Sequence, residues 1–470
     1  MSHRPARRQS EPLIDVSHPL RCHVVGIGGP GMSPLAYVLR GKGHDVTGSD
    51  MRESNSTRML AESGITVSIG HDASLVDGVD VVTYSTAIPK TNIEIVAAEE
   101  NHIPVRHRSG LLASLCVASE AIGVAGTHGK TTTSALLTHI LVQNGLDPSC
   151  IVGADVPGLT VGARVGANSL FVLESDESDG TLDVLPLTHL VITNVDVDHL
   201  DYFGTFDDVQ QCFVDAARRA TGHVVVNCDD PLSAPVVQAS VARGDYTTFG
   251  HGDDAQFRIA HVESTDDGLL IDFVEGQQRA QASLPLLGDH NAMNCAAAIA
   301  MARHLGVSLE DCCAAVRSFG GVQRRFTERG RFNEALLIDD YAHLPAEIEA
   351  VLQAARSHPL ATGRLIAVFQ PNRFHRVAAM ADSYADCFKN ADLVVITDVY
   401  ASGTERIDGV TGELVVNAVR QHHPNADVLW APQRKDIVTA VSSYLRPGDI
   451  CVSMGCGDIE TFPDDLLETR

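Results

Sequence analysis

The stretch Gly123–Thr132 reads GVAGTHGKTT: a lysine and two hydroxyls behind a run of glycines. Glycines let the backbone turn sharply after a strand, and a helix starting at the lysine aims its free N–H groups at one spot. Such a spot binds anions. Lys130 can reach β- and γ-phosphates there, and the Thr131 hydroxyl can ligate Mg2+. The spacing departs from the standard P-loop, which wants glycine where Val124 stands. An isolated Gly-Lys-Thr is as readily an incidental turn; the apolar strand before it and the helix after it favour phosphate.

Mg2+ wants hard oxygen ligands and tolerates an imidazole. LESDESDG offers Glu174, Asp176, Glu177 and Asp179, and TNVDVDHLD offers Asp196, Asp198, His199 and Asp201. Each group follows an apolar strand, and ligands gather beyond the carboxyl ends of strands in open α/β sheets. The alternative is a pair of solvated acidic loops. Nearer the N-terminus, Gly26, Gly28 and Gly31 form a literal G-x-G-x-x-G, with Asp50 ending the next strand where a ribose-binding acid belongs. That pattern seats a diphosphate without saying whether it comes from NAD, FAD or a UDP-sugar. Late in the chain, DDYAHLP gives Asp339, Asp340, Tyr341 and His343, and FQPNRFHR gives Arg373, His375 and Arg376. Arginines there suit carboxylates and phosphates.

These groups need rigid elements to hold them. CHVV, DVVTY, EAIGVA, SLFVLE, HLVITN, HVVVN, ALLIDD, RLIAVF, DLVVIT, DVLW and DICVSM read as buried strands. Helical stretches alternate with them, so the fold class is α/β. Residues of about 254–287 alternate more strictly and read as antiparallel strands inserted in the middle block. Leu136, Leu137, Ile140 and Leu141 mark one face of the helix after the lysine loop. The 470 residues suffice for roughly three domains. The expected division is a disordered tail over 1–17, then domains over 18–117, 118–325 and 326–470.

The net charge of −25 argues against nucleic-acid or anionic-membrane binding. Eleven scattered cysteines without a CxxC pair suit a reducing compartment rather than a disulfide framework or zinc site. The basic N-terminus lacks the apolar stretch of a signal peptide, and no run is long enough for a membrane span. A cytoplasmic protein, monomeric or homodimeric, is expected.

Taken in order, the motifs resemble the Mur ligase family. Its nucleotide loop, G-x-x-G-T-x-G-K-[ST]-[ST], is filled by Gly123, Gly126, Thr127, Gly129, Lys130, Thr131 and Thr132. VVGIGGPGMSPLA, GSD, LESDESDG, TNVDVDHLD, GDHNAMNCAAAIA, GVQRRF, DDYAHLP and FQPNRFHR follow in the family's sequence. The resemblance implies a Rossmann-like UDP-binding domain, a central P-loop-type ATPase domain and a C-terminal Rossmann-like domain. It also implies ATP and Mg2+, with two ions, and the joining of L-alanine to the lactyl carboxylate of UDP-N-acetylmuramate, a step toward peptidoglycan.

By the same resemblance, Gly126, Thr127, His128, Gly129, Lys130, Thr131 and Thr132 cradle ATP, and Thr131, Glu174 and His199 place Mg2+. His290 and Asn294 lie near the adenine, and Arg325 and Asp340 contact ATP. Gly28, Gly29, Gly31, Met32, Asp50, His71, Ser85, Thr86 and Ala87 line the UDP-sugar site. Tyr341, His343, Arg373 and Arg376 surround the amino acid, with His343 or the phosphate itself taking the amine's proton. Two positions depart from the family pattern: Leu344 replaces the second histidine of HHP, and Asn372 replaces the histidine of FQPHR. A tripeptide-recycling ligase on the same UDP-sugar, an NAD-dependent oxidoreductase and a catalytically dead nucleotide switch are the competing readings.

Overall fold

The computed structural model describes residues 8–469, Asp201 by its backbone alone. Three mostly parallel sheets with intervening helices make the chain α/β. The first joins β1 (Arg21–Val25), β2 (Asp45–Asp50), β3 (Thr66–Ile69), β4 (Val81–Tyr84) and β5 (Val105–His107) in the order β3-β2-β1-β4-β5. All its neighbours are parallel. The winding reverses between β1 and β4, which opens a crevice at the carboxyl end of β1.

The second sheet holds β6 (Glu120–Ala125), β7 (Ser149–Ile151), β8 (Ala163–Arg164), β9 (Leu170–Glu174), β10 (His189–Ile192), β11 (Val224–Asn227), β12 (Tyr246–Gly250), β13 (Phe257–Thr265), β14 (Gly268–Glu275) and β15 (Gln278–Leu284). Its order is β15-β14-β13-β12-β11-β10-β6-β9-β7-β8. Register sets Glu174 beside Val124 and Ile192 beside Ala125. The loops after β6, β9 and β10 therefore open on one edge. Ile122, Val124, Phe171, Val172, Leu173, Leu190 and Val191 are fully buried, as strands covered on both faces require. β13, β14 and β15 follow one another through two-residue turns, the insertion that strict alternation predicts.

The third sheet joins β16 (Thr327–Phe332), β17 (Ala335–Asp340), β18 (Leu365–Phe369), β19 (Leu393–Ile396), β20 (Val428–Trp430) and β21 (Ile450–Met454) in the order β16-β17-β21-β18-β19-β20. β17, β21 and β18 are parallel neighbours, so their following loops meet. By compactness the chain forms two units. One takes in the chain up to Ala260, with Asp272–Ala282 and Met293–Gly320; the other takes in His261–Ile271, Ser283–Ala292 and everything from Gly321.

The tail expected to be disordered spans residues 1–17. Residues 1–7 lie outside the described ones, but residues 8–17 are laid against the first unit. Ile14 N donates to Ser114 Oγ at 2.9 Å, and Ile14 and Val16 pack on the apolar core. A segment with apolar side chains at the spacing of Ile14 and Val16 has something to bury.

Candidate active site

β6 ends in Ala125, and the chain turns through Gly126 (φ 129°) and Gly129 (φ 80°), both in the left-handed region. A side chain at Gly126 would run into Thr193 Oγ1, and one at Gly129 into the Asn294 amide. Glycine is thus required twice, by conformation and by close approach. The helix Lys130–Gln143 starts immediately after. Thr132 is buried in its first turn, and Thr133 Oγ1 donates to Asn294 Oδ1 at 3.3 Å. His128 is fixed by its backbone N–H to Asn194 Oδ1 (2.8 Å) and by its ring to Asp196 (3.0 Å). Asp196 N in turn donates to Thr127 Oγ1 at 2.8 Å.

Lys130 Nζ points back into its own loop. It donates to Gly126 O at 2.6 Å and to Glu177 Oε2 at 3.1 Å. Burial disfavours the ammonium, yet Glu177, Asp176 and Glu174 together hold its pKa above the usual lysine value. Burial pushes the Glu177 carboxyl up, with Lys130 opposing. The ammonium is therefore charged at neutral pH and fully engaged.

The acids sort into two groups. Glu174 Oε2 accepts from Thr131 Oγ1 at 3.1 Å and from Gly153 N at 2.8 Å. Asp176, Glu177 and His199 instead bring one ligating atom each within 4.8 Å of one another. His199 stands in the left-handed region (φ 54°), which costs a non-glycine residue free energy and marks functional positions. Its Nε2 meets Asp198 at 3.0 Å, and its buried Nδ1 has no hydrogen-bond partner among the described residues. Burial lowers the imidazole's pKa, but Asp198, Glu177 and Asp176 outweigh it and raise it overall. The His199 imidazole, whose Nε2 lies 3.8 Å from Glu177, forms with the Asp176 and Glu177 carboxylates a donor group that fits a divalent cation such as Mg2+. Sequence reasoning put Glu174 with His199; Glu177, the residue that pairs Lys130, was visible only as one acid among four.

At the carboxyl end of β1, Gly28 N donates to Asp50 Oδ2 at 2.9 Å. Gly29 O accepts from Ser33 Oγ at 2.9 Å, and Met32 is buried beneath the turn. His71 Nδ1 lies 3.0 Å from Glu94 Oε1, a fully buried carboxylate that also takes Ser49 Oγ (2.6 Å) and His23 Nε2 (3.2 Å). Burial pushes Glu94 up, but these three hydrogen bonds prevail and hold its pKa below the usual value. Ser85, Thr86 and Ala87 form the turn after β4, and Thr86 Oγ1 meets His107 Nε2 at 3.1 Å. A methyl group at Gly31 would come within 2.8 Å of the Arg108 guanidinium, which Asp179 holds at 2.7 Å. Neither Glu94 nor the Arg108–Asp179 pair carried a sequence signal.

In the second unit, His290 lies in the first turn of the helix Asp289–His304, one turn ahead of Asn294. The loops after β17, β21 and β18 gather the remaining groups. Asp340 ends β17, is almost fully buried, and accepts from Phe326 N and Ala342 N, each at 2.7 Å. Burial raises its pKa to about 6 against the pull of Arg325 and those N–H groups. The Tyr341 ring receives two guanidiniums, Arg324 at 5.2 Å and Arg325 at 5.3 Å from its centroid. Arg324 is held by the buried Asp339 at 3.0 Å. His343 Nδ1 lies 3.3 Å from Glu347, whose carboxylate also accepts the His343 N–H.

Arg373 caps the helix Phe374–Met380 with φ 60°, its N–H on Tyr400 O at 2.9 Å. One turn on, the buried Arg376 donates to Asn372 Oδ1 at 2.9 Å. The two departures from the family pattern thus have different meanings. Leu344 is 3% exposed and packs as an apolar residue, whereas Asn372 carries a guanidinium. Cys456, after β21, feels the charges of Arg376, Arg373 and Arg324, although burial still raises its pKa.

Residues 21–119 match the Mur ligase family catalytic domain, residues 124–302 the Mur ligase middle domain and residues 324–457 the Mur ligase glutamate ligase domain. The chain belongs to the Mur ligase family. Among curated Mur ligases, it is 41% identical over 448 residues to the UDP-N-acetylmuramate--L-alanine ligase of Bradyrhizobium sp. (strain ORS 278), covering 93% of this chain and 95% of that one. It is 40% identical to the enzyme of the same name from Gloeobacter violaceus, with 95% of each chain covered. Among solved Mur ligases, UDP-N-acetylmuramate-alanine ligase MurC of Thermotoga maritima superposes with a TM-score of 0.78 at 26% identity, over 96% of this chain and 99% of that one. A murein peptide ligase of Psychrobacter arcticus gives 0.68 at 24% identity, over 96% and 98%, and shares the fold. Among the described residues no helix of this Mur ligase is long and apolar enough to cross a membrane.

Proposed function

We propose that this protein is an ATP-dependent carboxylate–amine ligase that joins L-alanine to the lactyl carboxylate of UDP-N-acetylmuramate, releasing ADP and phosphate. The observation that carries it is a lysine loop with a cation-fitting group beside it, in a chain about 40% identical, nearly end to end, to ligases of that name.

Amide formation from two charged partners is uphill in water, so the carboxylate is activated first. Its oxygen attacks the γ-phosphate of ATP and ADP leaves. The alanine nitrogen then adds to the carbonyl of the acyl phosphate, and the tetrahedral intermediate expels phosphate. Phosphoryl transfer depends on positioning and charge neutralisation more than on covalent help. Lys130 gives up Glu177 for the γ-phosphate, and the N–H groups of the Gly126–Thr132 turn take the other oxygens. Asp176, Glu177, His199, Thr131 and Glu174 would hold Mg2+, with two ions as the family resemblance implies; the metal would supply charge neutralisation of the phosphates. Asp50 and the Gly28–Met32 turn bind the UDP moiety, with His71 and Ser85–Ala87 beside it. Arg373 and Arg376 bind the carboxylate of alanine, and His343, oriented by Glu347, receives the amine's proton or passes it to phosphate. Arg325 and Asp340 contact ATP, with His290 and Asn294 near its base.

Mass analysis of the product from UDP-N-acetylmuramate, ATP and Mg2+ tests the reading. L-alanine should give a single-alanine adduct faster than glycine or L-serine. A faster reaction with a preformed tripeptide would replace this reading with the recycling one.

A further inference from the structure

The N-terminal segment is bonded to a corner of the fold that faces the candidate UDP-sugar site. The corner is His107–Arg108, where β5 ends and the helix Arg108–Val117 begins. From outside, Glu11 Oε2 accepts the His107 backbone N–H at 3.0 Å and rests on Gly110. A carboxylate at a helix N-terminus is favoured by the helix dipole, and its bond to N–H is charge-assisted. Arg106 Nε donates to Pro12 O at 2.9 Å, and Ile14 N to Ser114 Oγ at 2.9 Å. Arg8 Nε donates to Asp179 O at 2.9 Å, so one short segment ties this corner to the loop after β9.

From inside, the same corner reaches two segments of the sugar site. The His107 ring is buried, and its Nδ1 accepts from Ser109 N at 3.2 Å. Burial, with the charge of Arg8 next, pushes its pKa down to about 4, so its remaining proton sits on Nε2 and is donated to Thr86 Oγ1. Arg108, gripped by Asp179 from two nitrogens (2.7 and 3.2 Å), stands against Gly31 in the diphosphate turn.

We propose that residues 8–14 are a working part of the UDP-sugar site, in which Glu11 and Arg8 are positioning residues that hold His107 on Thr86 and Arg108 on the Gly31 turn. The proposal rests on the ligase reading for the identity of the sugar nucleotide. A purely structural segment would lower stability and shift every kinetic constant together. A positioning segment acts on one substrate.

The test uses the full chain, with the Kd of UDP-N-acetylmuramate measured by calorimetry without ATP, the KM of each substrate, and the melting temperature. E11A should raise the Kd of the UDP-sugar about tenfold, the usual effect of losing one charge-assisted hydrogen bond. R8A should raise it about threefold, since Arg8 acts on Arg108 only through Asp179. E11Q keeps an acceptor for His107 N–H and should recover most of the loss. The KM values for ATP and L-alanine should stay within about twofold. Unchanged UDP-sugar binding in both E11A and R8A overturns the proposal, as does a loss in E11A that E11Q fails to recover or that extends equally to all three substrates. Wild-type protein that does not bind UDP-N-acetylmuramate overturns the ligase reading and this proposal with it; wild-type binding matched by the variants overturns this proposal alone.

Discussion

Lys130 and Asp340 bury opposite charges, and their surroundings handle them in opposite ways. Around Lys130, acids converge and keep the ammonium charged, so the phosphate loop is closed on itself by Glu177. Around Asp340 there are two backbone N–H groups and an arginine, and burial still carries its carboxyl up to about 6. The first cluster has a surplus of acid ready for a cation. The second has arginines on Tyr341 and near Cys456, ready for anions. In the proposed reaction the first cluster serves a metal and a phosphate, the second carboxylates. The contrast exists before any substrate binds.

The largest effect should come from removing the lysine. K130A is expected to lower phosphate release from ATP about a thousandfold while UDP-sugar binding by calorimetry stays within about twofold. Retained turnover would remove the loop from the mechanism. Next, E177Q removes the negative charge that pairs the Lys130 ammonium while keeping one acceptor oxygen. It should cost about 3 kcal/mol of unfolding free energy in urea titration. Saturating MgATP should restore part of that, because the γ-phosphate supplies Lys130 with the missing negative charge. Equal stability of E177Q and wild type without nucleotide would show that the closed loop is not held by charge.

The arginine side is probed at Asn372. N372A should raise the KM for L-alanine about tenfold by removing one acceptor that orients the Arg376 guanidinium. N372D keeps the acceptor but neutralises the arginine, so its KM should rise further than that of N372A. The reverse order would mean that geometry alone matters there.

The acid cluster on β17 predicts a pH dependence. The folded-state pKa of Asp340 is raised from 3.8 to about 6, so its ionised form is the disfavoured one and accumulates only above that value. If the ionised carboxylate contacts ATP, kcat/KM for ATP should fall as pH drops through about 6, and the slow D340N variant should lack that limb. The smallest effect belongs to the other departure from the family pattern. L344M changes a buried apolar side chain for one of similar volume and should cost less than about 1.5 kcal/mol, with the KM for L-alanine unchanged.

Apolar stretches such as LFVL, VVV and LIAVF were legible because burial on both faces leaves no polar residue in them. The strands TVSI, VRH, SCI and TERGRF were not, being short, polar or at the edges of sheets, where one ladder and little burial decide the conformation. The phosphate loop was legible because its glycines, lysine and threonines are adjacent in sequence. Glu94 and Asn372 were not assigned a role, and Glu177 was offered only as one of several acids for Mg2+, because the partners that define them lie 71, 4 and 47 residues away and only the fold or a helix turn supplies them. Family resemblance named Thr131, Glu174 and His199 as one metal set. The geometry shows that Glu174 turns to Thr131 and Gly153 while His199 gathers with Asp176 and Glu177, a division invisible in the motif.

The central claim is that the lactyl carboxylate itself attacks ATP. Its most direct test is the ligation reaction run with 18O in both carboxylate oxygens of UDP-N-acetylmuramate, with the released phosphate analysed by mass. The acyl-phosphate route predicts one 18O atom transferred to inorganic phosphate per amide formed. Unlabelled phosphate, with amide product present, would contradict it.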